Sequence, residues 1–369
     1  MSPNLSFIAA PMVNQSDFPF RRLTARYGAT TVYTQMLSPE LLIHDQEYLE
    51  FHRRDLQSIN EKPVSTVVQL CGNNAEEIIE AGRKIQDLCD AIDLNLGCPQ
   101  EVARDGHFGA YLLGQKDWPL VENIGELFTS RYNNNRIELV FAVSCMAQSF
   151  KVPVSTKLRL CQPSSKTVEL AERLEASGSS WITLHARTVS SRRRRQGAAD
   201  LSEIKTLKQS ETLTIPVVSN GNVRVFDDLA QNLEYTGADG LMVGETLLGN
   251  PCIFSNNILP DPVEISLEYL NICRLYPGVA TLKTIQTHIR HFIDFQCARR
   301  PWFRKLRAAL NACTDLDDIE HLLRVKIQRW RGMTINSSTE TDSEDEQDFD
   351  NGVGNIEDAI SWHLSGINQ

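Results

Sequence analysis

Residues 93–100 read DLNLGCPQ, which sets a thiol just past a strand-like run, between a glycine and a proline. Gly97 lets the backbone approach a bound molecule and Pro99 stiffens the loop beyond, a setting that suits a short side chain needing accurate placement. A nucleophilic Cys98 would need a pKa depressed by a paired histidine or a helix N-terminus. The nearest histidine in sequence, His107, sits on the following loop. A general acid need only hold its proton, and a cysteine of ordinary pKa, about 8.5, does so at pH 7.

Other polar residues fall at the ends of apolar runs: Pro11-Met12, Gln69, Asn95, Lys157 and Arg159, His185 and Arg187, Asn220-Gly221-Asn222, and Gly244-Glu245. Singly, each has a plain structural use, with His185 as a core imidazole, Gln69 as a strand-end cap and Lys157 as an edge charge. Jointly they require elements that bring them to one place. The runs FIAA (7–10), TTVYTQM (30–36), STVVQL (65–70), AIDLN (91–95), VSTKL (154–158), WITLH (181–185), PVVS (216–219) and DGLMV (239–243) read as eight strands. Helical segments alternate with them: AEEIIEAGRKIQDLC, KTVELAERLEASG with Gly178 as its stop, LSEIKTLKQ, and VFDDLAQNLEYTG with Gly237 as its stop. The alternation predicts an α/β chain folded as a (β/α)₈ TIM barrel, with its chemistry at the C-terminal ends of the strands. A doubly wound open sheet is the rival, weakened because no G-x-G-x-x-G follows the first strand.

The glycine turns SNGN and VGE follow the seventh and eighth strands, where barrels commonly bind phosphate on backbone N–H groups. They imply a phosphate-bearing cofactor. Lys157, facing the mouth, would stabilise negative charge on a reduced flavin ring, and Gln69 would read the ring's pyrimidine edge.

At 369 residues and 41% apolar content the chain has room for a large domain and a smaller one. The predicted units are a catalytic barrel over 1–255, a helical domain over 262–331 and an acidic, disordered tail over 332–369. The segments SLEYLNICRLY, ATLKTIQTHIRHFIDFQCARR, WFRKLRAALNAC and LDDIEHLLRVKIQRW carry helical periodicity, the last capped by Asp315 or Thr314. No run of about eighteen apolar residues exists, and the N-terminus has no export signal, which predicts no membrane span and a cytoplasmic or nuclear location. Nine scattered cysteines, with no C-x-x-C pair and no histidine at ligand spacing, predict reduced thiols and no metal. The net charge of −10 is uneven: residues 335–369 hold nine acids and no Lys or Arg, whereas 283–331 hold eleven Lys/Arg against five acids. A basic helical face suggests a polyanion site, and a solvated face is its bland alternative.

The strings APMVNQSDFPFRRLTARYGATTVYTQML, DLNLGCPQEVARDGHFGAYLL, STKLRL, ITLHART, SNGNV and GADGLMVGETLLGNPCIF resemble the tRNA-dihydrouridine synthases over residues 7–254, and the basic helices extend the likeness to about 331. Leu96 within NLGCPQ, followed by GHFGAYL, is similar to the eukaryotic enzymes that act on positions 16 and 17 of tRNA. The resemblance implies FMN held by Pro11, Met12, Val13, Gln69, Lys157, His185, Asn220, Gly221, Asn222, Gly244 and Glu245. It implies NADPH or NADH as reductant, hydride transfer to C6 of a uracil in the D-loop, and Cys98 as the acid at C5. Asn95, Arg159 and Arg187 are then expected on the extruded uracil or a neighbouring phosphate, with Arg299, Arg300, Arg304 and Lys305 on the tRNA body. Ala186 and Cys161 depart from the family's glycines, and Glu245 from an arginine found in many bacterial members. The segment 128–145 is longer than a plain strand-to-helix connection.

The rivals are the same chemistry at another uridine (20a/20b), a flavin barrel reducing a free small molecule, and a catalytically silent tRNA-binding protein on the same fold. Arg192 to Arg195 would add phosphate contacts at the barrel mouth, against the alternatives of a localisation signal or a solvated loop. Replacing all four by Ala is expected to weaken tRNA binding and flatten its salt dependence; an affinity unchanged across salt would contradict this.

Overall fold

The computed structural model describes residues 2–57, 64–118, 139–191, 197–257 and 259–332. Arg192 to Arg195 and the acidic tail from 333 onward lie outside them, as does the first part of the 128–145 segment, whose remainder belongs to the helix Leu139–Ser149.

Eight parallel strands close into a barrel in chain order: β1 (Phe7–Ala9), β2 (Thr31–Leu37), β3 (Ser65–Leu70), β4 (Ala91–Leu96), β5 (Val154–Arg159), β6 (Ser179–His185), β7 (Val217–Asn220) and β8 (Gly240–Val243). Each predicted strand is present with small changes at its ends. Closure comes from β1 lying beside β8, Ile8 opposite Met242 and Ala9 opposite Val243. At that seam a Cβ on Gly240 would stand 1.8 Å from the Leu5 carbonyl oxygen, so only glycine lets the entering chain cross there. Helices follow where the periodicity switches, two of them with a side-chain cap at the start. Asn74 accepts from the N–H groups of Glu76 and Glu77 at the head of Ala75–Ile85, and Asp200 caps Leu201–Lys208.

The barrel centre is filled by Ile8, Ala10, Tyr33, Val67, Ala91, Trp181, Val218 and Met242, so it is a packed plug. Beyond it the chain continues as Pro262–Leu275, Leu282–Cys297, Phe303–Ala312 and Leu316–His321, the last running through a π-helical Leu322–Ile327 into Gln328–Trp330. Of the two candidate caps Asp315 makes the bonds, accepting from the N–H groups of Asp317 and Asp318. These helices share one apolar core with the helix Phe18–Arg26 and the barrel's last strand: Phe20, Leu23 and Leu241 pack in the same cluster as Tyr269, Phe292 and Leu323.

A polar lock crosses that core. Asp17 caps the helix Phe18–Arg26, accepts from the Tyr269 hydroxyl at 3.0 Å, and pairs with His288 Nε2 at 2.7 Å. Burial alone would raise Asp17, but the His288 imidazole and the bonds from Phe20 and Tyr269 outweigh it and hold the carboxyl below its ordinary value of 3.8. Its contribution to stability is therefore complete above that value and is lost only as the pH falls through the lowered one. Asp17→Ala is expected to destabilise the fold by about 3–5 kcal/mol at neutral pH in urea unfolding, because it strands a buried imidazole and a buried hydroxyl; a loss within experimental error of zero would contradict the lock.

Candidate active site

Parallel register assembles a polar rim from successive strand ends. Gln69 stands opposite Asp93, Asn95 opposite Lys157, Lys157 opposite Thr183, Arg159 opposite His185, and His185 opposite Asn220. Below the rim Asp93 is fully buried, accepting from Ser155 Oγ at 2.6 Å and Gln69 Nε2 at 2.8 Å. Gln69 Oε1 in turn accepts from Asn95 Nδ2 at 2.8 Å.

Asn95 shapes the loop that carries the thiol. Its Oδ1 accepts from the N–H groups of Gly97 (3.0 Å) and Cys98 (2.9 Å), an Asx-type turn that brings Cys98 off the strand end. The GHFGAYL stretch then packs over it. Gly109 sits at φ +63, and a Cβ there would meet the Cys98 carbonyl oxygen at 2.9 Å, so glycine is required both for the backbone conformation and for the close approach. The Ala110 N–H donates to that same oxygen, and the Tyr111 hydroxyl donates to the Pro99 carbonyl. Burial pushes the Cys98 thiol up, against the N–H of Gln100 and the charges of Arg159 and Lys157, which pull it down. The net rise leaves a protonated thiol at neutral pH, as a general acid needs. His107 pairs with Asp117 at 3.0 Å, an alternative partner to the thiol.

The rim is positively charged. Burial lowers Lys157 to about 8, with the Arg159 charge adding to the effect. Arg159 is lowered to about 10 by burial and by Arg187. His185 is pushed well below its ordinary value by burial and by these three cations, which keeps it neutral. Among the described residues the Lys157 ammonium has no hydrogen-bond acceptor, although it remains partly open to the mouth. A half-buried ammonium without a hydrogen-bond acceptor, beside a neutral imidazole, suits a ligand that is anionic or becomes so, and these residues fit a flavin ring.

The predicted site residues divide in use. Gln69, Asn95, Cys98, Lys157, Arg159, His185 and Arg187 come together. Asn95 and Arg159, expected on the substrate, are engaged with protein: Arg159 donates from Nε to the Gly97 carbonyl and from Nη1 to those of Thr188 and Ser191, tying the β4 and β6 loops. Asn220, expected on the cofactor, donates to the Met242 carbonyl, and Asn222 makes a two-way pair with the Ala199 backbone. Pro11, Met12 and Val13 form the partly buried β1 loop, whose Met12 N–H donates to Ser16 Oγ. Gly244 lies beside Ala10 and Met12, with Gly221 near His185, while Glu245 is exposed. Arg299, Arg300, Arg304 and Lys305 are exposed on or beside the C-terminal helices and pair with no carboxylate among the described residues. Cys161 and Ala186, at the departures from glycine, are buried in the core. Asp93 escaped sequence reasoning, although its period-two spacing from Asn95 put both on one face of β4.

Among the described residues there is no His/Cys/Asp/Glu group able to hold a metal and no helix long and apolar enough to cross a membrane. A sequence profile for dihydrouridine synthase (Dus) matches residues 8–330. A mouse protein named tRNA-dihydrouridine(16/17) synthase [NAD(P)(+)]-like is 34% identical over 76% of this chain and 54% of its own. The Saccharomyces cerevisiae tRNA-dihydrouridine(16/17) synthase [NAD(P)(+)] is 32% identical over 72% of this chain and 60% of its own. A mouse tRNA-dihydrouridine(20a/20b) synthase [NAD(P)+]-like protein is 31% identical over 72% and 76% respectively. The chain thus spans a little over half the length of the 16/17 mouse relative. In structure it is similar to histamine dehydrogenase from Rhizobium sp. 4-9, with a TM-score of 0.51 at 12% identity over 81% of this chain and 50% of that one, a likeness of fold.

The charge on Lys157 can be read directly. Competitive acetylation followed by mass spectrometry should show it titrating near 8, well below the value of about 10.4 for exposed lysines; titration along with the exposed lysines would contradict the electrostatics described.

Proposed function

We propose that this chain, which belongs to the dihydrouridine synthase family, reduces uridine to 5,6-dihydrouridine in tRNA, with FMN as its flavin and NADPH or NADH as reductant. The observation that carries this reading is the unpaired Lys157 ammonium in the barrel mouth next to a loop-held, protonated Cys98 thiol. The D-loop positions 16 and 17 are the favoured target, on the printed names of the relatives at 32–34% identity. The 20a/20b positions are the second reading, on relatives matched over a similar share of the chain.

When bound, the reduced flavin supplies the hydride that adds to C6 of the uracil. Lys157 would offset negative charge on the ring, and the neutral His185 would sit beside the cofactor without adding a fourth charge. Cys98 gives its proton to C5 from the opposite face, completing the saturation of one double bond by one hydride and one proton, and solvent then restores the thiol. Pro11, Met12, Val13 and the Gly221 and Gly244 turns would line the cofactor. Arg187 is assigned to the uracil or its phosphate, while Asn95 and Arg159 shape the pocket by holding its loops.

A uracil within folded tRNA has to leave its stack to reach this mouth, at a cost of a few kcal/mol. Division of the chain into a catalytic barrel through 255 and an RNA-gripping helical unit over 262–331 provides for that cost. The exposed Arg299, Arg300, Arg304 and Lys305 would hold backbone phosphates while the base is presented.

The test is nucleoside mass spectrometry of unmodified tRNA incubated with NADPH and the FMN-loaded protein, or its Cys98→Ala variant. Dihydrouridine is expected with the native protein, and its formation should be slowed about 10²–10⁴-fold by loss of the acid. A protein that binds flavin and tRNA yet forms none would leave the silent-binder reading in place.

A further inference from the structure

Asp93 is a carboxylate at 0% exposure on the strand that leads to Cys98. Removing an ion from water costs several kcal/mol, so a buried acid in a barrel needs an explanation. Its hydrogen bonds supply one, because they have a direction. An ionised carboxylate only accepts, so the Gln69 amide must turn its nitrogen toward Asp93 Oδ2 and its oxygen away. That oxygen can then accept from Asn95 Nδ2, which leaves Asn95 Oδ1 facing the N–H groups of Gly97 and Cys98. Reversing either amide would set N–H against N–H or oxygen against oxygen.

We propose that Asp93 is a positioning residue whose negative charge orients the Gln69 and Asn95 amides and, through them, holds the backbone of the Cys98 loop. Two adjacent strands, β3 and β4, take part, and the relay runs from the barrel interior to the thiol's loop with every bond between 2.8 and 3.0 Å. The titratable groups facing Asp93 are Lys157 from β5 and Tyr33 from β2. Lys157 favours the ionised acid, while Tyr33, itself pushed well above its ordinary value by burial, stays neutral; Gln69 and Ser155 donate without titrating. Burial nonetheless raises Asp93 to about 6, so the relay has its full direction above that pH and loses it below. The link to catalysis rests on Cys98 being the acid of the proposed reaction; the relay itself does not.

Residue-resolved hydrogen exchange of the full chain, without tRNA, tests it. After correction for intrinsic rates, protection of the Gly97 and Cys98 amides should fall about tenfold between about pH 8 and about pH 5, with its midpoint near 6. Asp93→Asn should give the low protection at every pH, as should Gln69→Leu, which cuts the relay while keeping Asp93, and β8 should stay protected in both. If Asp93→Asn does not fold, the native titration and Gln69→Leu decide. Flat native protection, or protection unchanged in a folded variant, overturns the proposal. Absence of dihydrouridine alongside a titrating loop would overturn the proposed function and leave the relay standing; dihydrouridine alongside a flat loop would do the reverse.

Discussion

Charge held in low-dielectric surroundings is the constraint on which this site depends. Lys157, Arg159 and Arg187 form a chain of mutually repelling cations at the barrel mouth, with the carboxylate of Asp93 beneath them. In water such a group would be screened. Here burial lowers the proton affinity of Lys157, Arg159 and His185, and the neighbouring cations lower it further, which keeps His185 neutral. The arrangement is costly for an empty fold and suits one whose function is to receive negative charge.

The same surroundings keep the Cys98 thiol protonated, as the proposed role of acid requires. An exposed carboxylic acid would have lost its proton at neutral pH, whereas burial pushes an already weakly acidic thiol higher. What remains is accuracy of placement, and the protein obtains it from backbone contacts. Asn95 holds the loop from below, Arg159 ties its Gly97 carbonyl to the β6 loop, and Gly109 brings a second loop against Cys98. Side chains that look like substrate readers in the sequence are therefore also the supports that locate the Cys98 loop.

The barrel was legible in the sequence because buried parallel strands are short β-branched and apolar runs, and because the intervening helices carry their own caps and glycine stops. The Cys98 loop was legible because Gly97 and Pro99 have few other reasons to flank a thiol. Polar residues at the rim were not, since an amide at a strand end serves a ligand or a neighbouring carbonyl equally well. Asn220 and Asn222 found backbone partners on Met242 and Ala199, contacts set only when separate loops converge. Choosing Asp315 over Thr314 was likewise beyond spacing alone, as both are short polar residues ahead of one helix. The Asp17–His288 lock joins residues 271 positions apart, and no local pattern announces it.

In the proposed reaction a reduced flavin in this mouth passes its hydride to a uracil in tRNA. Anaerobic stopped-flow spectroscopy of the NADPH-reduced, FMN-loaded protein follows that transfer at the flavin itself. Unmodified tRNA should restore the oxidised flavin absorbance in a single turnover, with free uridine far less effective. Flavin that remains reduced in the presence of bound tRNA would contradict the account.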